Sequence, residues 1–83
     1  MSLVPTMRLF ASAREAAGTG TDVFDEGTVA DVLIAAERRY GPRFTDVLGT
    51  CRVWLNGDDA PVDTPVGPHD EVAILPPVSG GCP

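Results

Sequence analysis

One segment has the length and the apolar spacing of an amphipathic helix, beginning after Thr28 and ending at Gly41-Pro42. Its apolar residues share one helical face: Val29, Val32, Leu33, Ala36 and Tyr40. Thr28 followed by Asp31 resembles a capping box, and a Gly-Pro pair ends a helix because proline cannot continue it. The apolar face must therefore pack on a sheet, which the segments on either side have to supply.

Strand-like segments lie on both sides of this helix. Val4–Phe10 alternates apolar and polar residues, and Asp22–Asp25 is predicted to be the second arm of a hairpin. Asn56-Gly57 is the strongest two-residue hairpin signal in the chain. Around and after it, three strands are predicted: Cys51–Leu55, a short one near Ala60–Val62, and Glu71–Leu75.

Two shorter segments are predicted to be helical. Ala11–Ala17 is rich in alanine and stops at Gly18, which favours a glycine C-cap. Residues 43–48 are predicted to form a helical turn whose apolar side chains point inward: Phe44, Val47 and Leu48. The whole pattern predicts an α+β domain with one main helix packed on a mixed sheet, in which the first and last strands are parallel neighbours at the centre.

Size and charge exclude several classes of function. A chain of 83 residues forms one domain around a modest core and buries only about 60% of its unfolded surface, so an elaborate enzyme pocket is not expected. Its net charge is −6, with 12 acidic residues, 6 arginines and no lysine. Such a chain repels phosphate backbones, which excludes nucleic acid as an expected partner. Without lysine it also offers no ε-amine for isopeptide chains of itself.

Cysteine usage predicts a reducing cytoplasm. Cys51 and Cys82 are too few for a secreted domain held together by disulfides. The N-terminus lacks a signal-like pattern, and no apolar run approaches the roughly 18 residues that cross a bilayer, so no membrane role is expected. No metal site is predicted either. Cys51 is interpreted as a small buried hydrophobe, His69 as a solvated turn residue, and Asp58-Asp59 as the polar end of a hairpin.

The last residues carry the strongest indication of function. We predict a folded domain over residues 1–77 and a flexible tail over residues 78–83, which contains Gly80-Gly81 followed by Cys82-Pro83. Glycines lack β-carbons, so an extended tail of this kind can enter a narrow channel, and attack on the Gly81 carbonyl meets little steric hindrance. The residues that contact a partner are predicted to be Leu75, Pro76, Pro77, Val78, Ser79 and Gly80.

Three stretches of the chain carry a resemblance to a known family: Arg8–Glu15, Val53–Gly57 and Asp70–Gly81. On these residues the chain resembles the β-grasp sulfur carriers of the ubiquitin-like class, and most closely the small subunit of molybdopterin synthase. His69 departs from the pattern, since the family often has glycine before Asp-Glu-Val. The resemblance implies a β-grasp fold and a carrier protein rather than an enzyme.

The resemblance also implies a reaction cycle at Gly81. An adenylyltransferase of the ubiquitin-activating type uses MgATP to form an acyl-adenylate on the terminal glycine, and a persulfide sulfur donor converts it to a thiocarboxylate. Sulfur then passes to an acceptor, which in the molybdopterin branch is a pterin precursor bound to the large synthase subunit. Related carriers of this family supply sulfur for thiamin, cysteine, methionine or siderophore-like products, so the resemblance leaves the pathway open. No cofactor is expected to stay bound to the carrier itself.

Cys82-Pro83 modifies this expectation, because carriers that act directly end at the second glycine. Some relatives are made with a short extension that a zinc metalloprotease of the deubiquitinase-like type removes. The chain is therefore interpreted as a proprotein, with the Gly81–Cys82 bond as the processing site and Gly81 as the latent reactive residue.

Two other interpretations stay open on the sequence. Cys82 could carry a persulfide directly, although no basic neighbour lowers the pKa of its thiol. Alternatively, the chain is a ubiquitin-like protein modifier, or a non-enzymatic interaction domain, that conjugates through Gly81. The tail does not separate a modifier from a sulfur carrier, because both routes begin with adenylation.

Overall fold

The computed structural model describes residues 4–76 of the chain. Its elements in chain order are β1 (Thr6–Leu9), α1 (Ala11–Ala17), β2 (Thr21–Val23), α2 (Val29–Tyr40), α3 (Pro42–Leu48), β3 (Arg52–Leu55), β4 (Asp58–Asp59) and β5 (Glu71–Leu75). The strands of this range form one sheet in the order β2-β1-β5-β3-β4. β1 and β5 are parallel, and the other neighbouring pairs are antiparallel. The predicted mixed sheet with parallel first and last strands is confirmed.

The described helices pack on one face of this sheet. In β5, Val72 and Ile74 are fully buried, whereas Ala73 between them lies on the other face. β1 alternates in the same way, because Met7 and Leu9 pair with Val72 and Ile74 in the parallel register. The buried cluster takes residues from both layers: Met7, Leu9, Ala13, Phe24, Val32, Ala36, Phe44, Val72 and Ile74.

α2 begins and ends where its local sequence predicts. The Asp31 amide donates to Thr28 Oγ1 at 3.1 Å, which satisfies one of the free N–H groups of the first turn. At the other end the Gly41 amide donates to the Glu37 carbonyl at 2.9 Å, and Gly41 has a φ of 96°, which favours glycine. The predicted apolar face is confirmed: Val29, Val32 and Ala36 are buried, and Leu33 and Tyr40 pack partly buried against the core.

The helical turn predicted over residues 43–48 is the seven-residue helix α3, which starts at Pro42. Proline suits the first helical position because its missing N–H would have no intrahelical partner there. Phe44 is fully buried, and its ring meets that of Tyr40 edge-on at a centroid distance of 5.0 Å. Val47 and Leu48 are half-buried, so the inward orientation of this segment is confirmed.

The strand predicted near Ala60–Val62 is wrong, because pairing begins directly after the Asn56-Gly57 turn. Asp58 lies opposite Leu55, and β4 ends at Asp59. The segment that follows forms hydrogen bonds with the first turn of α2 and not with the sheet. The Val62 and Thr64 carbonyls accept hydrogen bonds from the Ala30 and Val29 amides at 2.7 and 3.0 Å. These are N-terminal helix amides, which a continuing strand would leave without acceptors.

β2 covers Thr21–Val23 rather than the predicted Asp22–Asp25, because Phe24 leaves the strand and enters the core. Its outer edge is protected by side chains. The Thr21 amide donates to Thr19 Oγ1, and the Thr19 hydroxyl donates to the Thr21 carbonyl. The Val23 amide donates to the Asp22 carboxylate at 2.8 Å. Backbone groups that are already engaged are poor templates for another strand, so this edge resists strand addition.

Asp22 also joins β2 to the C-terminal end of α2. Tyr40 Oη donates to Asp22 Oδ2 at 2.5 Å, and an Arg39 guanidinium nitrogen lies 3.0 Å from Oδ1. The same arginine donates to the Val23 carbonyl and stacks on Phe24, 4.2 Å from the ring centroid. Burial acts to raise the pKa of Asp22, but the hydrogen bonds from Tyr40, Val23 and Arg39 and the arginine charge outweigh it and lower the pKa.

Replacing Asp22 by Asn should weaken this connection. Because folding lowers the pKa of Asp22, the carboxylate stabilises the fold fully above its unfolded pKa of about 4 and loses this effect as pH falls through the lower folded pKa. We expect D22N to reduce the free energy of unfolding by about 1–2 kcal/mol at neutral pH and to flatten its decline in acid. Urea denaturation between neutral pH and about pH 2 measures both effects. The exposed Asp25 is the matched control, and an equal loss in Asp25→Asn would contradict the assignment.

Candidate functional site

Two of the residues predicted to contact a partner lie within the described range. Leu75 is the last residue of β5 and is half-buried, and Pro76 follows it. Proline has no amide hydrogen, so it cannot extend the ladder as a donor. The other predicted site residues lie outside the described residues, and their roles stay predictions: Pro77, Val78, Ser79, Gly80, Gly81 and Cys82.

Within the described residues, no helix covers the face of the sheet opposite the core. β5 places Ala73 and Leu75 on this face, because Val72 and Ile74 point to the helices. Arg8 pairs with Ala73 from β1, and Trp54 pairs with it from β3. Arg52 of β3 pairs with Leu75. The point where the chain leaves the sheet is thus bordered by side chains from two neighbouring strands.

Phe10 adds an exposed aromatic ring that sequence reasoning assigned only to the first strand. It follows β1, is 39% exposed, and its amide donates to the Ile74 carbonyl at 3.1 Å. The Arg8 guanidinium lies 5.9 Å from the centroid of its ring. The alternation of β1 predicts this orientation. Because Met7 and Leu9 point into the core, Phe10, which follows Leu9, points away from it. We define the open face by six residues: Arg8, Phe10, Arg52, Trp54, Ala73 and Leu75.

Trp54 lies on β3, directly across from Ala73 in the open face. Its side chain is half-buried, and its indole Nε1 is shielded from solvent without a hydrogen-bond partner among the described residues. An unpaired buried donor costs roughly 1–3 kcal/mol of stability. Local costs of this kind are expected at functional surfaces more than in cores selected for stability.

The charge of the open face differs from that of the whole chain. Arg8 Nη1 lies 3.7 Å from Glu71 Oε2, and both side chains are about half exposed. Solvent weakens an ion pair of this kind, so it contributes little to stability. Arg52 makes no ion pair with any described residue, and Asp59 lies across from Trp54. The two arginines of the open face balance the carboxylates of its neighbours Glu71 and Asp59, whereas the net charge of the chain is −6. The open face therefore repels an acidic partner less than the rest of the surface does.

The start of β5 is anchored by Asn56, whose φ is 53°. Its side-chain amide donates to Asp70 Oδ1 at 2.9 Å, and its side-chain oxygen accepts from the Glu71 amide at 2.8 Å. The Gly67 amide donates to the other Asp70 oxygen at 2.7 Å. The hydrogen bonds from Asn56 and Gly67 lower the pKa of Asp70. This network ties the β3–β4 turn to the strand that carries Leu75.

Other residues considered from the sequence stay separate from the open face. Cys51 is a free, half-buried thiol just before β3. It is therefore more exposed than its interpretation as a small buried hydrophobe predicts. His69 is exposed in the loop before β5, as interpreted, and Asp58-Asp59 forms the exposed strand β4. The described residues contain no group of side chains suited to hold a metal ion. Within the same range, no helix has the length and the apolar character of a membrane span.

Comparison with protein families assigns the chain. The model of the ThiS family matches residues 7–81, which includes the open face and extends through the diglycine. The chain belongs to the ThiS family. It is therefore a member of the β-grasp sulfur carriers and ubiquitin-like modifiers, a small carrier rather than an enzyme, as the resemblance implied.

Solved structures agree on the fold. The solution structure of the small archaeal modifier protein 1 from Methanosarcina acetivorans is similar with a TM-score of 0.83 and 30% identity, covering 98% of this chain and 99% of that one. The crystal structure of the corresponding Haloferax volcanii protein has a TM-score of 0.74 and 34% identity, covering 93% and 98%. A chain in the complex of subunits 1 and 2 of the molybdopterin-converting factor from Helicobacter pylori is similar with a TM-score of 0.72, covering 94% of this chain and 99% of that one. Its identity of 20% indicates the fold alone.

Substitutions of Asn56 should separate its two roles. Asn56→Gly keeps the positive φ and removes the side-chain bonds to Asp70 and Glu71, whereas Asn56→Ala also strains the turn. We expect losses in the free energy of unfolding of about 1 kcal/mol for the glycine variant and about 2–3 kcal/mol for the alanine variant. Chemical denaturation measures the order, and an alanine variant as stable as the glycine variant would refute the turn requirement.

Proposed function

We propose that this chain carries sulfur as a thiocarboxylate on Gly81 and delivers it to an acceptor enzyme. The observation that carries the proposal is the open face beside Leu75, in a ThiS-family chain whose diglycine ends six residues after that strand. Six extended residues reach about 20 Å, which suffices to enter the active site of a protein docked on the open face. The domain thus supplies the docking surface, and the tail supplies the reactive group.

The chemistry at Gly81 follows from the reactivity of its carboxylate. A carboxylate is a poor electrophile, so an adenylyltransferase uses MgATP to convert it to an acyl-adenylate with release of pyrophosphate. The terminal sulfur of a persulfide donor then displaces AMP from the activated carbonyl and forms an acyl disulfide. A second thiol attacks the donor sulfur of this acyl disulfide, forms a disulfide with the donor and releases the Gly81 thiocarboxylate. In this form the carrier holds sulfur covalently and does not release free sulfide.

In this proposal Cys82 and Pro83 are removed before activation. Only hydrolysis of the Gly81–Cys82 bond creates a carboxylate on Gly81, and the family match ends at Gly81, which supports this boundary. A zinc metalloprotease of the deubiquitinase-like type is the expected processing enzyme. Direct persulfide carriage on Cys82 would make this cleavage unnecessary.

The open face is the proposed contact for both the activating and the accepting enzyme. Its apolar and aromatic residues include Trp54, Ala73 and Leu75, and its two arginines lie on the strands that flank β5. Buried aromatic and apolar groups supply most of the affinity in protein interfaces, whereas rim charges mainly affect association rates. The complex of subunits 1 and 2 in the Helicobacter pylori relative supports an acceptor that binds a carrier of this fold.

Modification of other proteins is the second candidate function. It is favoured by the modifier proteins from Methanosarcina acetivorans and Haloferax volcanii, which are 30% and 34% identical to this chain. In that case an amine, rather than a sulfur donor, would attack the activated Gly81 carbonyl. The two functions share adenylation and differ in the nucleophile that follows it.

Intact-mass analysis distinguishes the two functions. After proteolytic removal of Cys82 and Pro83, incubation with the adenylyltransferase, MgATP and a sulfur donor should add about 16 Da, because sulfur replaces one oxygen of the Gly81 carboxylate. Omitting the sulfur donor is the control. Protein conjugates without any thiocarboxylate would favour modification, and extra sulfur on the uncut chain would favour Cys82 as the carrier.

Substitution of Leu75 tests the docking surface. Leu75→Glu places a charge among the apolar residues of the open face, so we expect the rate of pyrophosphate release by the adenylyltransferase to fall at least about tenfold at subsaturating carrier. Val62→Glu is the matched control, because Val62 is 54% exposed in the loop that caps α2, away from the open face. Circular dichroism should show both variants folded. Equal rates for the two folded variants would refute docking through Leu75.

A further inference from the structure

α2 presents a second surface, on the side of the molecule opposite the open face. Its buried residues point to the sheet, so Asp31, Ile34 and Arg38 at positions i, i+3 and i+7 point outward. We call these three residues the α2 outer face. Ile34 is 48% exposed, which is unusual for a large aliphatic side chain at the centre of a helix whose other face already supplies the core.

Two shallow grooves flank the α2 outer face. A groove of ≈ 590 Å³ lies on one side, and its walls include Glu26 and Asp31. A groove of ≈ 500 Å³ lies on the other side, toward α3, and its walls include Pro42 and Thr45. Ile34 and Arg38 border both grooves and therefore form the ridge between them. A ridge of residues four apart beside a groove is the element that packs when two helices meet.

The charged groups of this face are available for a partner. Neither the Asp31 carboxylate nor the Arg38 guanidinium has a hydrogen bond or an ion pair with another described residue. Two of the other charged groups that line the grooves have partners within the fold: Arg39 pairs with Asp22 at 3.0 Å, and Glu37 accepts a hydrogen bond from Thr45 at 3.1 Å. Asp31 and Arg38 are separated by two helical turns, about 10.5 Å along the axis, with Ile34 between them.

We propose that a second copy of this chain docks on the α2 outer face, with the two α2 helices antiparallel. A two-fold axis near Ile34 brings Asp31 of each copy to Arg38 of the other, so one patch forms two ion pairs. Ile34 of each copy lies against the ridge and groove of its partner. An antiparallel arrangement satisfies the requirement of a two-fold interface, in which the same patch must complement itself.

The size of the patch makes this contact transient. Each side contributes one aliphatic residue and two charged residues, which form two ion pairs in all. A contact of this size corresponds to an interface below about 1,200 Å², and the net charge of −6 makes the two copies repel at long range. The open face and Pro76 lie on the other side of each copy. Two chains can therefore associate while each keeps its open face accessible to an enzyme.

Charge reversal tests the arrangement. Asp31→Arg and Arg38→Asp should each weaken self-association at least about tenfold, because each brings like charges together across the interface. A mixture of these two variants should associate again. In the mixed pair the introduced arginine faces the introduced aspartate, and the retained Arg38 of one chain faces the retained Asp31 of the other. The double variant, with both charges exchanged in one chain, should recover self-association. Sedimentation velocity and the concentration dependence of amide chemical shifts measure the association.

Two further variants keep the test independent of net charge and of folding. Glu15→Arg in α1 changes the net charge by the same amount as Asp31→Arg, at an exposed position outside the α2 outer face, and should associate as the unmodified chain does. Ile34→Ser leaves both charges in place and should weaken association, with thermal unfolding as the check on folding. Concentration-independent shifts up to about 1 mM, shift changes confined to the open face, or a mixture no tighter than its components would each overturn the proposal.

Discussion

Hydrogen bonding on both edges of β5 positions the open face and the start of the tail. β5 is parallel to β1 on one side and antiparallel to β3 on the other, and this pairing holds its register. Since Val72 and Ile74 are fully buried against the helices, Ala73 and Leu75 lie on the opposite face. A slip of one residue would reverse both sets, bury the residues proposed for docking and expose the core. The stability of the domain and the location of the open face therefore have the same cause.

The edges of the sheet are protected by different means. At β2 the outward backbone groups are engaged by Thr19, Asp22 and Arg39, and at β4 two adjacent aspartates are soon followed by Pro61. Engaged amides, charge and proline all disfavour the addition of another strand. The protected edges thus disfavour the edge-to-edge contacts that would lead to aggregation, while the proposed function leaves one face of the sheet for partner enzymes.

The ThiS-family assignment fits a domain whose two described grooves are shallow. In a carrier the reacting atom belongs to the tail, and the enzymes that act on it supply the catalytic groups. In the proposed function, the domain supplies a surface that these enzymes recognise and a fixed point from which the tail extends. The network of Asn56, Asp70 and Glu71 provides this fixed point, because it anchors the start of the strand that ends at Leu75.

The sequence by itself determined the features that depend on neighbouring residues. α2 begins after Thr28 and ends before Gly41-Pro42, and Asn56-Gly57 forms the turn between β3 and β4. Both are predictable because capping hydrogen bonds and positive φ angles depend on neighbouring residues. The family resemblance likewise depends on short motifs. Tertiary structure decided the rest. Phe10 lies beside Arg8 on the open face only in the folded chain. The carbonyls of Val62 and Thr64 accept hydrogen bonds from the first turn of α2, in a segment where the sequence pattern predicts a strand. These outcomes depend on which distant backbone groups need partners, and local propensity does not contain that information.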